Sequence, residues 1–387
     1  MARETYLDYN RPAMGEEEAA AVADAVRSLW ITRGPRVGAF EQALSAFLGG
    51  ARVVALNSCT AALHLALIAS GVGPGDEVIT TPLTFAASVN VILHVGATPV
   101  LADVDPDTGC IDPREVRRAI TPATRAILPV DLAGHPADWD ALGALAAERG
   151  LSLVEDAAHA MATEYHGHRI GSFPWMAAFS FYATKNLATG EGGALVVPDQ
   201  ATEERLRVLG LHGMSKNAWS RYTKAGQWRY DILEPGYKYN MTDIQAALGL
   251  VQLARLPALQ ARRAAIAERM NRAFAEDPAL VTPYVAPDVV HAWHLYPLRL
   301  VPRALTIGRD AFIEALTARN IGTAVHFIPI SHMTYYRERF GWQPGMFPHA
   351  DAYFEGEISL PLYPSMTDGD VDDVIEAVLG VCRAHRA

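Results

Sequence analysis

Short apolar runs alternate with amphipathic stretches through the first half of the chain. Residues 53–56, 77–80, 99–104, 126–131, 151–155, 177–181 and 194–197 read as buried strands, being rich in aliphatic and β-branched side chains and bounded by turn residues. Between them, residues 61–69, 85–93, 113–120 and 138–149 carry the three-to-four-residue spacing of helices. Strand and helix in alternation imply the α/β class: a mostly parallel, seven-stranded sheet flanked by helices on both faces. Gly73-Pro74-Gly75-Asp76, residues 105–109 and Gly134-His135-Pro136 punctuate the pattern as loops, since glycine supplies positive φ and proline fixes φ.

The pattern changes at Thr242, where Thr242-Asp243-Ile244-Gln245 forms a capping box. A long helix is expected from there to about Phe274, with Pro257 as a candidate break. Beyond it, strand patterns at 294–301 and 322–327 and helical patterns at 309–319 and 368–383 suggest a smaller α+β unit. The expected division is a large domain with an N-terminal arm, residues 1–252, and a small C-terminal domain, residues 253–387.

Composition narrows the function classes. With 387 residues, 50% of them hydrophobic, the chain can bury a large core. A formal charge of −10 and no dense Lys/Arg run argue against a nucleic-acid partner. No run approaches about 18 apolar residues and no signal-type start is visible, so a cytoplasmic protein without a membrane partner is expected. Cys59, Cys110 and Cys382 are scattered and odd in number, which fits ordinary thiols rather than disulfides or a metal site.

Chemistry-bearing groups fall where strands end. Lys185 closes the run Phe179-Ser180-Phe181-Tyr182-Ala183-Thr184-Lys185, and Asp156 and His159 follow the strand pattern 151–155. A partly desolvated lysine has a lowered pKa and can condense with a carbonyl, the chemistry of pyridoxal phosphate enzymes. Such a cofactor wants an acid against its pyridine nitrogen, which Asp156 could supply. Its phosphate wants amides at a helix start, and Asn57-Ser58-Cys59-Thr60 precedes a helix. Ser180 could add a hydroxyl, and Phe85 could stack on the ring. Each group also has a plainer role: Lys185 could snorkel, Asp156, Ser58 and Thr60 could cap helices, Phe85 could be core and His159 could lie at the surface.

In combination the residues resemble a known family. Residues 10–15, 30–35, 57–67, 73–78, 96–105, 154–159, 179–193, 236–250 and 359–367 are similar to the DegT/StrS family of pyridoxal-phosphate nucleotide-sugar aminotransferases of fold type I. The resemblance implies that Lys185 forms the Schiff-base link, Asp156 keeps the pyridine nitrogen protonated and His159 lies against the ring. It also implies that Phe85 stacks on the other face, and that Cys59, Thr60 and Ser180 bind the phosphate. Asn240 matches a position that reaches the phosphate from a second subunit, so a homodimer with shared active sites is implied.

Some relatives carry histidine at the lysine position and remove a 3-hydroxyl; Lys185 favours transamination over that dehydratase chemistry. Residues 236–243, 291–295 and 335–340 most resemble the UDP-4-amino-4-deoxy-L-arabinose aminotransferase type. The implied reaction is ping-pong transfer from L-glutamate, through pyridoxamine phosphate, to the keto carbon, C4, of a nucleotide-linked sugar. C3 amination, a sugar 3-dehydratase and a non-catalytic sensory homologue are the alternatives. Candidates for the sugar-nucleotide pocket are Arg33, Arg229, Lys238, His326 and Tyr335. Arg33 stands where the family has a small hydroxyl residue, and Ser331 where it has a second histidine, with His332 one later. A nicotinamide oxidoreductase is disfavoured, since no Gly-x-Gly-x-x-Gly turn opens an early βαβ unit.

Overall fold

A computed structural model describes residues 3–215 and 230–387. Strands β1 (Arg52–Leu56), β2 (Glu77–Thr80), β3 (Thr98–Leu101), β4 (Thr124–Leu128), β5 (Ser152–Asp156), β6 (Met176–Ser180) and β7 (Gly193–Val197) form one sheet. Its order is β1-β7-β6-β5-β4-β2-β3, parallel except for β7, which runs antiparallel to both of its partners. The reversal has a local cause: residues 181–192 join β6 to β7 without forming a helix, so no crossover carries the chain back to start a parallel strand. That short connection carries Lys185.

Helices α1 (Glu16–Arg27), α2 (Pro35–Phe47), α3 (Cys59–Ala69), α4 (Ala86–His94), α5 (Pro113–Ala119), α6 (Trp139–Arg149) and α7 (Gln200–Leu209) surround the sheet. Successive strand residues enter opposite cores. Val53, Leu153, Ala177 and Phe179 pack with Phe40 and Trp139, whereas Val54, Val154, Ala178 and Leu195 pack with Leu63 and Leu65 of α3. Both faces are therefore dry, which is why the strands read as continuous apolar runs rather than as alternating ones. Sequence reading extended the fourth strand to residue 131, but the strand stops at Leu128. Pro129 has no N–H to donate and interrupts the strand, but pairing with β5 resumes beyond it as a bridge of Val130 to Asp156, with Asp156 N–H donating to Pro129 O at 2.9 Å and Asp131 N–H to Asp156 O at 3.1 Å.

Helix α8 (Asp243–Phe274) starts at the expected capping box, Thr242 and Gln245 each bonding the other's backbone N–H. It does not break at Pro257. Leu253 and Leu256 pack in the core beside the large sheet and Ile266 and Met270 in a second core, so burial on both sides of the proline holds one continuous rod. The second core lies against an antiparallel sheet of β8 (Leu280–Val281), β9 (Tyr296–Leu300) and β10 (Glu357–Leu360), covered by α9 (Arg309–Thr317) and α12 (Asp368–Ala384). Leu7 joins it through a bridge to Ile321, and α10 (Thr334–Phe340) and α11 (Pro348–Gly356) send Tyr336 and Tyr353 back to the first core. The strand expected at 322–327 is reduced to a bridge between Ala324 and Ser359. The next ladder donor, two residues on, is lost because His326 N–H turns instead to the Glu357 carboxylate at 2.8 Å.

Candidate active site

A cavity of about 560 Å³ opens at the ends of β5 and β6 and the start of α3, and its wall includes Lys185, Asp156, His159, Cys59, Thr60, Phe85, Ser180 and His326. Eight of the thirteen candidate residues thus converge from segments far apart in sequence. Carboxyl-end loops of a parallel sheet gather in this way because every crossover returns the chain to the same edge.

Lys185 is held at the cavity by the tight β6–β7 turn, its backbone N–H bonded to Tyr182 O at 2.9 Å. Burial lowers its amine to about 8, against the opposing pull of Cys59 and Asp156. At pH 7 such an amine is about one-tenth free base, the form able to act as nucleophile and proton carrier. Lys185 does not snorkel over an outer surface: it is half-buried on the cavity wall, its Nζ 3.5 Å from His294 Nε2.

Asp156 ends β5 with 5% of its surface exposed. Its Oδ2 accepts from Ser88 Oγ at 2.8 Å, and its Oδ1 accepts from Ala158 N–H at 3.2 Å and from the Cys59 thiol at 3.9 Å. Burial still raises this acid above the ordinary carboxylate range. A buried carboxylate on the cavity wall is the partner that a protonated ring nitrogen would need, so its placement fits pyridoxal phosphate.

His159 is buried, not superficial, and its Nδ1 accepts the Ala133 N–H at 3.2 Å. Burial and the charge of Lys185 keep the ring neutral, so its proton sits on Nε2. Phe85 is 65% exposed at the start of α4, not core, with Phe327 at 6.2 Å between centroids. An exposed aromatic at a cavity rim suits a stacking partner.

At the other end, Ser58 caps α3 by accepting Ala61 N–H at 3.1 Å. The amides of Cys59 and Thr60, first in the helix, have no intrahelical acceptor and lie on the cavity wall. Backbone donors, two hydroxyls and a helix N-terminus suit a phosphate. Asn10 Oδ1, also on the wall, is buried without a partner among the described residues.

Other candidates lie elsewhere in this chain. Asn240 and Arg33 share a separate cavity of about 300 Å³ with Arg207. Arg33 reaches Glu41 at 3.3 Å, and Lys238 donates to Asn240 Oδ1. Tyr335 is 54% exposed on α10. Arg229 lies outside the described residues. His332 bonds Asp351 at 2.7 Å, and Ser331 is buried with its hydroxyl unpartnered among the described residues.

Sequence reasoning missed His294, whose Nε2 is 3.5 Å from Lys185 Nζ and whose ring lies 4.3 Å from that of His159. It also missed Ser88, Tyr9 and Phe327. His294 left one signal, a polar residue just ahead of the apolar strand β9. Ser88 left another, a hydroxyl in the first turn of a mostly apolar helix.

Comparison with known proteins bears on the same geometry. The family model described as DegT/DnrJ/EryC1/StrS aminotransferase family matches residues 12–379. The spore coat polysaccharide biosynthesis protein SpsC of Bacillus subtilis is 51% identical over 382 residues, covering 98% of each chain. Spr1654 of Streptococcus pneumoniae, solved in a PLP form and a PMP form, superposes with TM-scores of 0.91 and 0.92 at 36% and 37% identity, covering 98% of this chain and 99% of that one. PseC of Helicobacter pylori, an aminotransferase involved in the biosynthesis of pseudoaminic acid, superposes with a TM-score of 0.91 at 30% identity, covering 98% of this chain and 100% of that one. The chain belongs to the DegT/DnrJ/EryC1/StrS aminotransferase family, pyridoxal-phosphate sugar aminotransferases of fold type I.

Proposed function

We propose that the chain moves an amino group from L-glutamate to C4 of a UDP-linked 4-keto sugar, as in the UDP-4-amino-4-deoxy-L-arabinose aminotransferase type. The observation that carries the proposal is the amine of Lys185 sharing one cavity with the buried acid Asp156. Similarity to SpsC and PseC, both named for carbohydrate biosynthesis, supports a sugar substrate.

Bound here, pyridoxal phosphate supplies an aldehyde that takes up nitrogen and a ring that accepts an electron pair. Lys185 would hold the aldehyde at rest and, once released, carry a proton between the donor's α-carbon and the cofactor. Asp156 would keep the ring nitrogen protonated, with Ser88 and Ala158 N–H fixing the carboxylate. His159, neutral and anchored on Ala133, would pack one ring face, and Phe85 the other. Cys59, Thr60 and Ser180 would bind the phosphate, and Asn240 would reach it from a second copy of the chain in a homodimer. His326 would meet the sugar nucleotide, with Arg33, Arg229, Lys238 and Tyr335 as further contacts.

The test incubates purified protein with glutamate and a panel of UDP- and dTDP-linked 3-keto and 4-keto sugars, and locates the new amine by NMR. A 4-amino product from a UDP sugar supports the proposal. A 3-amino product, or amination of dTDP sugars alone, overturns the substrate assignment.

A further inference from the structure

Two amide side chains and two backbone carbonyls fix the proton on an imidazole beside the reacting amine. Gln260 Nε2 donates to His291 O at 3.0 Å, and Asn186 Nδ2 donates to Ala292 O at 2.6 Å. Carbonyl oxygens only accept, so both amides can be oriented one way alone. Asn186 Nδ2 also gives its second N–H to Gln260 Oε1 at 3.1 Å, which agrees with that orientation. Asn186 Oδ1 must then accept, and the group 3.2 Å away is His294 Nδ1. The proton of His294 is therefore on Nδ1, and its Nε2 lone pair faces Lys185 Nζ at 3.5 Å.

We propose that His294 is the positioning residue of Lys185: locked as the Nδ1–H tautomer by Asn186 and Gln260, it accepts a hydrogen bond from the lysine amine and holds it whenever it is not bonded to the cofactor. The proposal rests on Lys185 being the reacting amine. Its logic is geometric. A four-carbon stem has many rotamers, and a released amine that wanders loses the orientation that proton transfer needs. An acceptor that cannot itself donate draws one N–H to a fixed point without competing for the amine's lone pair.

The surroundings keep His294 in that state. The ring is buried, and burial together with Lys185, His159, Arg263 and His326 holds it neutral. Asp156 and Cys59 face Lys185 from β5 and α3, and Glu191 lines the same wall. No step requires His294 to gain or lose a proton.

The first test is on the apoprotein. Histidine-labelled NMR should show His294 with a protonated Nδ1 and a bare Nε2, the signal being assigned by its disappearance in His294→Gln. A protonated Nε2 overturns the proposal. The second measures how fast a limiting acylating reagent labels Lys185 in the apoprotein as pH is varied, read by peptide mass spectrometry. In His294→Leu the ammonium loses its acceptor, so the labelling midpoint should fall by about one pH unit, and turnover of the loaded enzyme should fall about tenfold. His294→Gln, with an amide oxygen near the place of Nε2, should restore most of both. An unchanged midpoint in His294→Leu overturns the proposal. Borohydride labelling with pyridoxal phosphate separates the two ideas: a tag on another lysine removes the underlying function, whereas a tag on Lys185 with an unmoved midpoint removes only the role of His294.

Discussion

Ser88 Oγ donates to Asp156 Oδ2 at 2.8 Å inside a site where both residues are buried. The bond ties the first turn of α4 to the tip of β5, and it stabilises the ionised carboxylate. In Ser88→Ala the charged form loses a donor, so the pKa of Asp156 should rise further. The acidic limb of kcat/KM against pH should move to higher pH, with about a tenfold loss on that limb. Ser88→Thr keeps a hydroxyl and should restore the profile. An acidic limb unmoved by Ser88→Ala would show that the bond does not tune the acid.

Lys185→Ala removes the lowered amine outright. Visible absorbance of the holoenzyme in the Schiff-base region, borohydride fixation of the cofactor and turnover should all vanish, while far-UV circular dichroism stays as in the parent. Asp156→Ala differs, because it leaves the amine in place. Borohydride fixation should persist as turnover falls by at least about a hundredfold, the scale of a lost acid–base contribution. Normal turnover in Lys185→Ala would falsify the assignment.

Much of this site was legible because its residues end strands. Lys185, Asp156 and Cys59 each follow an apolar run, and a parallel sheet sends those ends to one edge. His294 follows no such rule, lying 109 residues from Lys185 at the opposite end of β9, where only packing of the second core against the first brings it in. Proline at 257 was weighed as a local break, and local chemistry does disfavour it, yet burial on both sides of it outweighs one missing hydrogen bond. The strand expected at 322–327 failed for the converse reason. A buried carboxylate captured the His326 N–H, a long-range competitor that no window of sequence contains.

That carboxylate, Glu357, gives a stability prediction. Its Oε1 accepts from Ser359 Oγ, which also bonds His326 Nδ1 at 2.8 Å. Burial raises Glu357 from 4.5 to about 8, with Ser359, His326 N–H and Arg309 opposing. The folded state therefore keeps a proton that the unfolded chain releases, and stability is full below about 4.5 and declines as pH rises toward 8. His326, lowered from 6.5 to about 4, is neutral in the folded state across the upper part of that window, and its unfolded-state ring loses its proton as pH passes 6.5, a contribution common to the parent and Glu357→Gln. Urea midpoints should fall from about pH 6.5 to 8 in the parent, and less steeply in Glu357→Gln. Equal slopes would remove Glu357 as a source of the decline.

Gly193 tests the anion end of the cavity without touching a candidate ligand. It opens β7, paired with Leu56 of β1 on one side and Ser180 of β6 on the other, so the sheet fixes its position twice. A Cβ there would lie 2.4 Å from the carbonyl carbon of Ser58 and 2.5 Å from the nitrogen of Cys59. Both atoms are backbone, and no rotamer change relieves the overlap. The start of α3 must move instead, and with it the amides of Cys59 and Thr60. Gly193→Ala should therefore weaken binding of pyridoxal phosphate more than that of pyridoxal, because only the former engages those amides. Overpacking should also cost about 1–3 kcal/mol of stability. Gly38→Ala, at a helical position with nothing within 4 Å, is the control and should leave binding unchanged. Equilibrium dialysis with both ligands, beside urea denaturation of both variants, separates the effects. An equal loss of affinity for pyridoxal and its phosphate in Gly193→Ala would mean that the start of α3 does not hold the phosphate.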